Sequence, residues 1–336
     1  TSYIKEKSPT KIFILVDSNT KNKCLPFLMK SVFGIKDSFV IEVAPGEISK
    51  SLDEVQKICN LLLYHEIDRS SLIINLGGGV ICDLGGFVAS IIKRGVSFIN
   101  IPTTLLAQID ASIGGKVGVN FEKQKNQLGL FSNPNLVLIC PVFLATLGIY
   151  EISTSYSEII KYALIFDEKF WNKLKVFLPK KNSNLQAIIH RCVNIKISIV
   201  KRDYYDFTER RKLNFGHSIA HALEACYMDN KLHMPHGIAV FIGIICESYL
   251  SYKRATLTNK SLMHIVNLVL ELFSPVYLDK KYDQKILDYI KSDKKNKNGI
   301  LYFTLLNSIG TSIVNCHVPE KEVHNSLKFY RNICSI

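Results

Sequence analysis

The chain has 336 residues, of which 47% are hydrophobic and 21% charged, and its formal net charge is +13. This content can bury a large core, which excludes a disordered polyelectrolyte and predicts two domains. The charge favours anionic partners, but the lysines are spread along the chain instead of forming a basic arm. Most of them are expected to be a solvated surface, so no nucleic-acid partner is expected.

The nine cysteines are odd in number and contain no C-x-x-C pair. This favours reduced, mostly buried thiols in a reducing compartment. The longest apolar stretch, "GIAVFIGIICESYL", is interrupted by Glu247 and is shorter than the roughly 20 residues of a membrane span. The first residues also lack the apolar core of a signal peptide. We therefore expect a cytoplasmic protein with no membrane partner.

The first 150 residues alternate between short apolar runs and helical patterns. The runs are "KIFILVD", "SFVIEVA", "SLIINLG", "VSFINIP" and "NLVLIC". Strands that alternate with helices predict a parallel sheet covered on both faces. After about residue 150 the helical period prevails, apart from a hairpin within "ILYFTLLNSIGTSIVNCHV". The sequence predicts a Rossmann-like α/β nucleotide-binding domain over 1–150 and a mainly α-helical domain over 151–336.

A glycine-rich turn follows the third apolar run in "LIINLGGGVICDLGGF". Glycines at a strand–helix turn let backbone N–H groups approach a phosphate, and Asp83 is expected to cap the helix. The G-x-G-x-x-G pattern fails at its last position, where Cys82 stands. The loop is therefore not an ordinary dinucleotide fingerprint, and a plain tight turn remains an alternative.

Polar groups are dense in "RGVSFINIPTTLLAQIDASIGGKVGVNFEKQKNQLGLF". Glycines flank Lys116 and Asn120, which predicts a loop that closely approaches a ligand. Lysine, arginine and asparagine suit phosphate and carboxylate oxygens. A polar surface loop is the alternative.

Four histidines lie between residues 215 and 240. His217 and His221 are four residues apart and share a helix face with Glu224 nearby, while His236 precedes an apolar helix. Imidazole and carboxylate are zinc ligands, so this spacing favours a metal site over a set of buried core histidines. Ser218 stands where a H-E-x-x-H motif has its glutamate, which excludes that type of zinc protease. His233 is expected to be a loop residue.

Glu158 and Lys161 are three residues apart in "YSEIIKYALIFDE", so they share one helix face. This pair could be a weak surface ion pair, or a metal ligand beside a substrate-binding lysine. The spacing does not decide between the two.

Seven motifs occur in the order found in the 3-dehydroquinate synthases, which belong to the sugar phosphate cyclases. They are "GGGVICDLGGF", "RGVSFINIPTTLLAQIDASIGGKVGVN", "KNQLGLF", "SEIIKYA", "LNFGHSIAHALE", "HGIAV" and "DKK". The chain therefore resembles that family over most of its length. The resemblance implies a fold similar to that of the metal-dependent glycerol dehydrogenases, an NAD cofactor and Zn²⁺ or Co²⁺. It also implies a homodimer and a phosphorylated sugar acid as the substrate.

The reaction that the resemblance implies is the conversion of 3-deoxy-D-arabino-heptulosonate 7-phosphate to 3-dehydroquinate and phosphate, a step of the shikimate pathway. It proceeds by transient oxidation with NAD, phosphate elimination, re-reduction and an intramolecular aldol closure. The alternatives are another sugar phosphate cyclase and a metal-dependent polyol dehydrogenase of the same fold. From another class, a nucleic-acid binder or a scaffold without activity is disfavoured, because no nucleic-acid-binding module is visible.

The resemblance also implies roles for individual residues. The metal ligands would be Glu158, His217 and His236. The catalytic residues would be Lys116, Lys161, Arg210, Asn214 and His221. The substrate would be bound by Arg94, Asp110, Asn126, Lys196 and Lys294, the last chosen over Lys295. In some relatives the residue at the Arg94 position comes from the neighbouring subunit. NAD would lie along Glu47, Lys50, Gly78, Gly79, Val80, Asp83, Thr103, Thr104, Lys125, Phe143 and Thr146.

The sequence departs from the family pattern at several positions. Ile238 stands where the family usually has glutamate, Cys82 and Gln124 each replace a usual glycine, and Tyr156 and Ser157 replace small residues. The spacing from His217 to His236 is slightly long. None of these departures removes a proposed ligand. The loss of a carboxylate at position 238 is expected to affect metal affinity or choice.

Overall fold

The computed structural model describes residues 1–122, 124–177, 185–292 and 300–334. The predicted substrate contact Lys294 and its alternative Lys295 lie outside the described residues. The chain divides into two compact units. The first unit comprises residues 1–152 and 189–197, and the second comprises residues 153–188 and 198–336.

The first unit is built on a parallel sheet. Its helices and strands are α1 (Ser2–Lys7), β1 (Ile12–Asp17), α2 (Ser18–Lys23), α3 (Leu25–Ser31), β2 (Phe39–Val43), α4 (Leu52–Tyr64), β3 (Leu72–Gly77), α5 (Gly79–Ile91), β4 (Ser97–Pro102), β5 (Lys116–Phe121), β6 (Gln124–Phe131) and β7 (Leu136–Val137). The strand order is β2-β1-β3-β4-β7, and each neighbouring pair is parallel. All five predicted apolar runs form strands of this sheet.

Both faces of the sheet are buried, as the run of apolar residues predicts. Along β1, Phe13 and Leu15 belong to one hydrophobic cluster, whereas Ile14 and Val16 belong to a second cluster. Successive side chains of a strand point to opposite faces, so the two clusters cover the two faces. The predicted Rossmann-like fold class is confirmed for this unit.

The stretch that was predicted to be a polar loop contains an antiparallel hairpin, β5 and β6. Gly118 lies opposite Gly129, and a Cβ on Gly118 would lie 2.6 Å from the carbonyl oxygen of Leu128. The prediction of a loop was wrong because the glycines that suggested flexibility instead allow the two strands to approach closely. Val117 and Val119 are buried and anchor the hairpin in the core beneath α5.

The second unit is mainly helical. Its elements are the later part of α6 (Ile149–Phe166), α7 (Glu168–Phe177), α8 (Leu185–Arg202) apart from residues 189–197, α9 (His217–Asp229), α10 (His236–Arg254), α11 (Asn259–Leu272), α12 (Asp283–Ser292), β8 (Tyr302–Ser308), β9 (Thr311–His317) and α13 (Glu320–Cys334). β8 and β9 form the predicted hairpin before the last helix. None of the described helices combines the length and apolar content that a bilayer span requires.

Helix α10 is the central helix of the second unit and packs against α9, α11 and α13. Two glycines set its contacts. A Cβ on Gly237 would lie 2.1 Å from the carbonyl oxygen of Thr154 on α6, and a Cβ on Gly243 would lie 1.8 Å from that of Gly216. Glycine at these two positions therefore lets α10 touch the backbone of α6 and the start of α9 directly.

Candidate active site

Three side chains from three helices of the second unit meet at one point. Glu158 lies on α6, while His217 and His236 are the first residues of α9 and α10. Glu158 Oε1 lies 3.2 Å from His217 Nε2 and 3.5 Å from His236 Nε2. One ligand atom from each residue lies within 4.8 Å of the others, so the set could hold a metal ion.

The glycine at position 237 explains how His236 reaches Glu158. Gly237 packs against the carbonyl of Thr154, which lies one helical turn before Glu158 on α6. The start of α10 is thereby held beside the turn of α6 that carries the carboxylate. Any side chain at position 237 would push His236 away from it.

Glu158 has the charge and the surroundings expected of a residue that binds a cation. The residue is 1% exposed, and neither carboxylate oxygen makes a hydrogen bond of proper geometry to a protein group. Lys161 forms a buried ion pair with it. Burial alone would raise the pKa of Glu158, but the charge of Lys161 holds that pKa well below its usual range. An ionised carboxylate that faces two imidazole nitrogens matches catalytic zinc sites, which use three protein ligands and keep one position open.

Each imidazole is oriented by its Nδ1 atom. His217 Nδ1 lies 3.1 Å from the carbonyl oxygen of Phe215, and His236 Nδ1 lies 3.3 Å from Glu224 Oε2. Carbonyl and carboxylate oxygens accept, so each Nδ1 carries the proton and each Nε2 is directed at Glu158. The sequence placed Glu224 near the histidines without a role, and the structure makes it the partner of His236.

The pKa values of the two histidines differ. Burial and the nearby Lys161 lower the pKa of His217, which favours the neutral imidazole that a metal requires. Burial also disfavours a charged His236, but the nearby carboxylates of Glu158 and Glu224 outweigh it and raise the pKa of His236 to about 10.

Two other histidines of the region lie outside the three-residue set. The His221 ring is exposed, and its centroid lies 5.3 Å from that of His217 and 6.4 Å from that of His236. His233 is exposed in the loop between α9 and α10, as predicted.

A cavity of about 270 Å³ lies beside this cluster. It is lined by Asp206, Arg211, Asn214, His217, His221, Tyr302, Phe303, Thr304, Val314 and Asn315. Asn214 and His221 were predicted from the resemblance. Tyr302 and Asn315 were missed, because the β8–β9 hairpin brings them to the site from far along the chain, and Arg211 was missed although it adjoins the predicted Arg210. Arg211 Nη1 contacts Asn315 Oδ1 at 3.3 Å.

Arg210, the arginine that was predicted to bind substrate, is 3% exposed. Its Nη1 donates to the carbonyl oxygen of Tyr204 at 2.7 Å, and its backbone N–H donates to Asp203 Oδ2 at 3.0 Å. The side chain is therefore held in place by the turn that precedes it.

In the first unit, several predicted NAD-binding residues meet at the carboxyl ends of β3 and β4. Gly78 is the N-cap of α5, and a Cβ on it would lie 3.1 Å from Thr104 Cγ2. The backbone N–H of Thr103 donates to the carbonyl oxygen of Gly77 at 2.9 Å. Because α5 begins at Gly79, Asp83 lies inside the helix, and the expectation that Asp83 caps it was wrong. This edge of a parallel sheet is where such folds bind nucleotides.

Asp83 instead forms an ion pair with Lys50, with 2.6 Å between Nζ and Oδ2. Burial raises the pKa of Asp83 against the attraction of Lys50. Glu47 accepts a hydrogen bond from Asn120 Nδ2 at 2.9 Å. Cys82, which replaces a usual glycine, is 1% exposed, and its Sγ lies 3.9 Å from the carbonyl oxygen of Gly77, the first glycine of the turn.

The remaining predicted NAD residues are more dispersed. Val80 is half-buried in the first turn of α5, and Lys125 is exposed on β6. Phe143 and Thr146 lie in a short 3₁₀ helix, where Phe143 packs into the hydrophobic cluster that contains Ile14.

The predicted substrate residues of this unit form one pair and three exposed side chains. Lys196 is 7% exposed and forms an ion pair with Asp110. Lys116 and Asn126 are exposed on the β5–β6 hairpin. Arg94 is exposed in a left-handed turn (φ 64°) just before β4, at the edge of the sheet opposite the glycine loop.

Comparison with known proteins decides the family. The model of the 3-dehydroquinate synthase N-terminal domain matches residues 40–154, and that of the C-terminal domain matches residues 155–296. The chain is 36% identical to the 3-dehydroquinate synthase of Parabacteroides distasonis over 323 residues, covering 96% of this chain and 91% of that protein. It is 41% identical to that of Clostridium botulinum over 310 residues, covering 90% and 87%.

The chain belongs to the 3-dehydroquinate synthase family. This confirms the resemblance seen in the sequence motifs. The family match spans both units, including Glu158, His217 and His236.

Solved structures support the same fold. A 2-epi-5-epi-valiolone synthase from Streptomyces hygroscopicus with NAD⁺ and Zn²⁺ bound is 25% identical, with a TM-score of 0.88 over 97% of this chain and 92% of that one. A 2-deoxy-scyllo-inosose synthase complexed with carbaglucose-6-phosphate, NAD⁺ and Co²⁺ is 19% identical, with a TM-score of 0.84 over 98% and 93%. A glycerol dehydrogenase from Schizosaccharomyces pombe reaches a TM-score of 0.67 at 12% identity, covering 99% and 86%. The expected likeness to glycerol dehydrogenases is confirmed at the level of the fold.

Proposed function

We propose that this member of the 3-dehydroquinate synthase family converts 3-deoxy-D-arabino-heptulosonate 7-phosphate to 3-dehydroquinate and inorganic phosphate. The observation that carries the proposal is the convergence of Glu158, His217 and His236, in a chain that matches both domain models of the family. The reaction would use NAD and Zn²⁺ or Co²⁺.

When bound, NAD supplies a hydride acceptor that is regenerated within the cycle, and the metal supplies a Lewis acid for neighbouring substrate oxygens. Glu158, His217 and His236 would hold the metal. The two Nε2 atoms and the ionised carboxylate are already directed at one point, so binding requires little rearrangement of these side chains.

The nucleotide would lie at the glycine loop of the first unit. Gly78 and Gly79 let the backbone approach a pyrophosphate at the N-terminus of α5. The Lys50–Asp83 ion pair braces the second turn of the same helix. The Thr104 side chain lies beside Gly78, and Thr103 is joined to the loop through its backbone, so both are proposed to contact the nucleotide.

Cationic and amide side chains would bind the substrate. The substrate carries about three negative charges, since the second pKa of a phosphate ester is near 6. The groups proposed to offset them are Lys116, Asn126, Lys161, Lys196, Arg210 and Asn214, with Lys294 outside the described residues. Asp110 would orient Lys196 through their ion pair. His221 would hydrogen-bond near the phosphate or transfer a proton.

We also propose a homodimer. Arg94 lies at the edge of the first unit's sheet that is opposite the glycine loop. Arg94 of one protomer would therefore reach the substrate site of its partner more readily than the site of its own protomer. Analytical ultracentrifugation tests the dimer, and a dimer that keeps full activity after Arg94→Ala would remove this role.

A cytoplasmic location is proposed from the cysteine pattern, and cell fractionation tests it.

The decisive experiment combines the protein with NAD, Zn²⁺ or Co²⁺ and the heptulosonate phosphate. Phosphate release without net NADH is expected, and a chelator or His217→Ala should abolish it. Sedoheptulose 7-phosphate and glucose 6-phosphate test for another sugar phosphate cyclase, the class of the valiolone synthase neighbour. Lasting NADH absorbance with a polyol would instead identify a dehydrogenase.

A further inference from the structure

Glu247 is a fully buried carboxylate on α10 that has no role in the proposed reaction. It accepts two backbone hydrogen bonds. The N–H of Gly216 lies 2.7 Å from Oε2, and the N–H of Ile219 lies 3.2 Å from Oε1. Both donors belong to the start of α9, whose first residue is His217.

The start of α9 needs an acceptor from elsewhere. The first N–H groups of a helix have no partner within it, and a Ser, Thr, Asp or Asn side chain usually supplies one. Here the N-cap is Gly216, with φ 80° and no side-chain cap. Glu247 fills that role from another helix.

The peptide that joins Phe215 and Gly216 links Glu247 to the metal cluster. Its N–H donates to Glu247, while its carbonyl oxygen accepts from His217 Nδ1 at 3.1 Å. The other nitrogen of the same ring faces Glu158 at 3.2 Å. A series of hydrogen bonds therefore runs from the Glu247 carboxylate through one peptide unit to the imidazole.

Such a series has a direction. Hydrogen bonds in a chain polarise one another, so a negative charge on the N–H side makes the carbonyl oxygen a stronger acceptor. A stronger acceptor at Nδ1 fixes the ring and raises the basicity of Nε2. The peptide thereby transmits the effect that a carboxylate has when it contacts a metal-binding histidine directly.

The packing around this peptide depends on the same face of α10. Gly243 lies one turn before Glu247, and a Cβ on it would lie 1.8 Å from the carbonyl oxygen of Gly216. A Cβ on Gly216 would lie 3.0 Å from Ile244 Cγ1. The backbone at 215–216 is thus held both by close contact and by hydrogen bonds.

We propose that Glu247 is a positioning residue for the metal site, which sets the orientation and basicity of His217 through the 215–216 peptide. This rests on the proposed function, because it requires a metal at Nε2 of His217. The isosteric Glu247→Gln removes the charge and replaces one acceptor by a donor that faces a backbone N–H.

The experiment is a Co²⁺ titration of chelator-treated protein, followed by visible absorption, with Zn²⁺ affinity measured by competition with a chromophoric chelator. Glu247→Gln should bind about tenfold more weakly, as found for partners of metal-binding histidines, and should shift the Co²⁺ spectrum. The matched control is Cys246→Ala. Cys246 is also fully buried on α10, but its Sγ contacts the carbonyl of Ser326 at 3.5 Å instead. This control should bind Co²⁺ as the unsubstituted protein does.

Two results separate this inference from the proposed function. Loss of the Co²⁺ spectrum in His217→Ala would show that the unsubstituted protein binds Co²⁺ through His217. If Glu247→Gln then has the same Co²⁺ affinity and spectrum as the unsubstituted protein, this inference alone is overturned. If the unsubstituted protein and His217→Ala give the same titration, the metal site itself is wrong and both fail. Should Glu247→Gln not fold, Glu247→Asp takes its place, and an unchanged Co²⁺ spectrum in that variant overturns the inference.

Discussion

Asp203 accepts the backbone N–H of Arg210 at 3.0 Å, and this contact organises the turn that leads into the candidate substrate site. The same carboxylate accepts the N–H groups of Phe207 at 3.0 Å and Thr208 at 2.6 Å. Burial would raise the pKa of Asp203, but these hydrogen bonds lower it to about 2. The ionised form is therefore part of the folded turn.

This pKa predicts a pH-dependent contribution to stability. The pKa in the folded chain lies below the ordinary value, so the stabilisation is complete above about pH 5 and is lost as the pH falls toward 2. Its size at neutral pH is about 2 kcal/mol. The urea unfolding midpoint of Asp203→Asn should lie below that of the parent at pH 7, and the gap should narrow as the pH falls. Asp288→Asn, at an exposed position on α12, is the control. A gap that does not change with pH would contradict the prediction.

The Lys50–Asp83 ion pair predicts that substitutions of the two residues have coupled effects on the stability and NAD affinity of the first unit. Lys50 is 4% exposed, so removal of Asp83 leaves a buried charge without its partner. Breaking a fully buried ion pair in this way lowers the stability of a protein by about 3 kcal/mol. The loss of stability is expected to be smaller here, because Asp83 is partly exposed. Asp83→Asn and Lys50→Met should each lower the thermal midpoint and weaken NAD binding.

The double variant distinguishes pairing from two independent effects. In a double-mutant cycle, partners in contact show a coupling energy of about 0.5–3 kcal/mol. Lys50→Met with Asp83→Asn should therefore be less destabilised than the sum of the single variants. Additive losses in both stability and NAD affinity would show that the ion pair does not brace the loop.

Glu224 predicts a metal-affinity effect that is separate from that of Glu247. Its carboxylate contacts His236 Nδ1 at 3.3 Å, which makes it the direct partner of the second imidazole. Loss of such a partner weakens metal binding by about 10–100-fold. Glu224→Gln should weaken Zn²⁺ binding in a competition assay without loss of helix content by circular dichroism. Asp229→Asn on the same helix is the control, because Asp229 lies away from the cluster and contacts Lys285 at 3.1 Å. Equal affinity in Glu224→Gln and Asp229→Asn would remove Glu224 from the site.

The fold could be predicted from the sequence where one physical signal prevails. β3 is buried at all six of its residues, and its continuous apolar run followed by glycines indicated a strand. β5 and β6 were missed because their glycines serve close strand contact, which no local pattern distinguishes from a flexible loop. Asp83 was misplaced because the helix begins four residues earlier, at a glycine that carries no capping side chain.

The candidate site was predictable only in part, because local sequence patterns do not show which distant residues pack together. Helical spacing placed His217 near His221, but it could not select Glu158, which is far away in the sequence and lies on another helix. The motif resemblance supplied Glu158. Helical spacing also put Glu224 near the histidines, but it did not show that His236 is its partner. Glu247 and Arg211 had no sequence signal as site residues, because their partners are set by how α9, α10 and the β8–β9 hairpin pack.

The contact between Gly237 and Thr154 gives a last prediction, which tests how the metal cluster is assembled. A Cβ at position 237 would lie 2.1 Å from the carbonyl oxygen of Thr154, so Gly237→Ala must move α10 relative to α6. Overpacking of this kind costs about 1–3 kcal/mol. Because His236 adjoins the glycine and Glu158 lies one turn after Thr154, the shift also separates two of the proposed ligands. Gly237→Ala should lower both the thermal midpoint and Zn²⁺ affinity.

The matched control for this prediction is Gly148→Ala, where the nearest atom to the added Cβ would be Glu151 Oε2 at 3.6 Å, an ordinary contact. That variant should keep the parental Zn²⁺ affinity and lose little stability. If Gly237→Ala loses stability but binds Zn²⁺ as tightly as Gly148→Ala, the start of α10 adapts without moving His236. In that case the contact with α6 supports the fold alone.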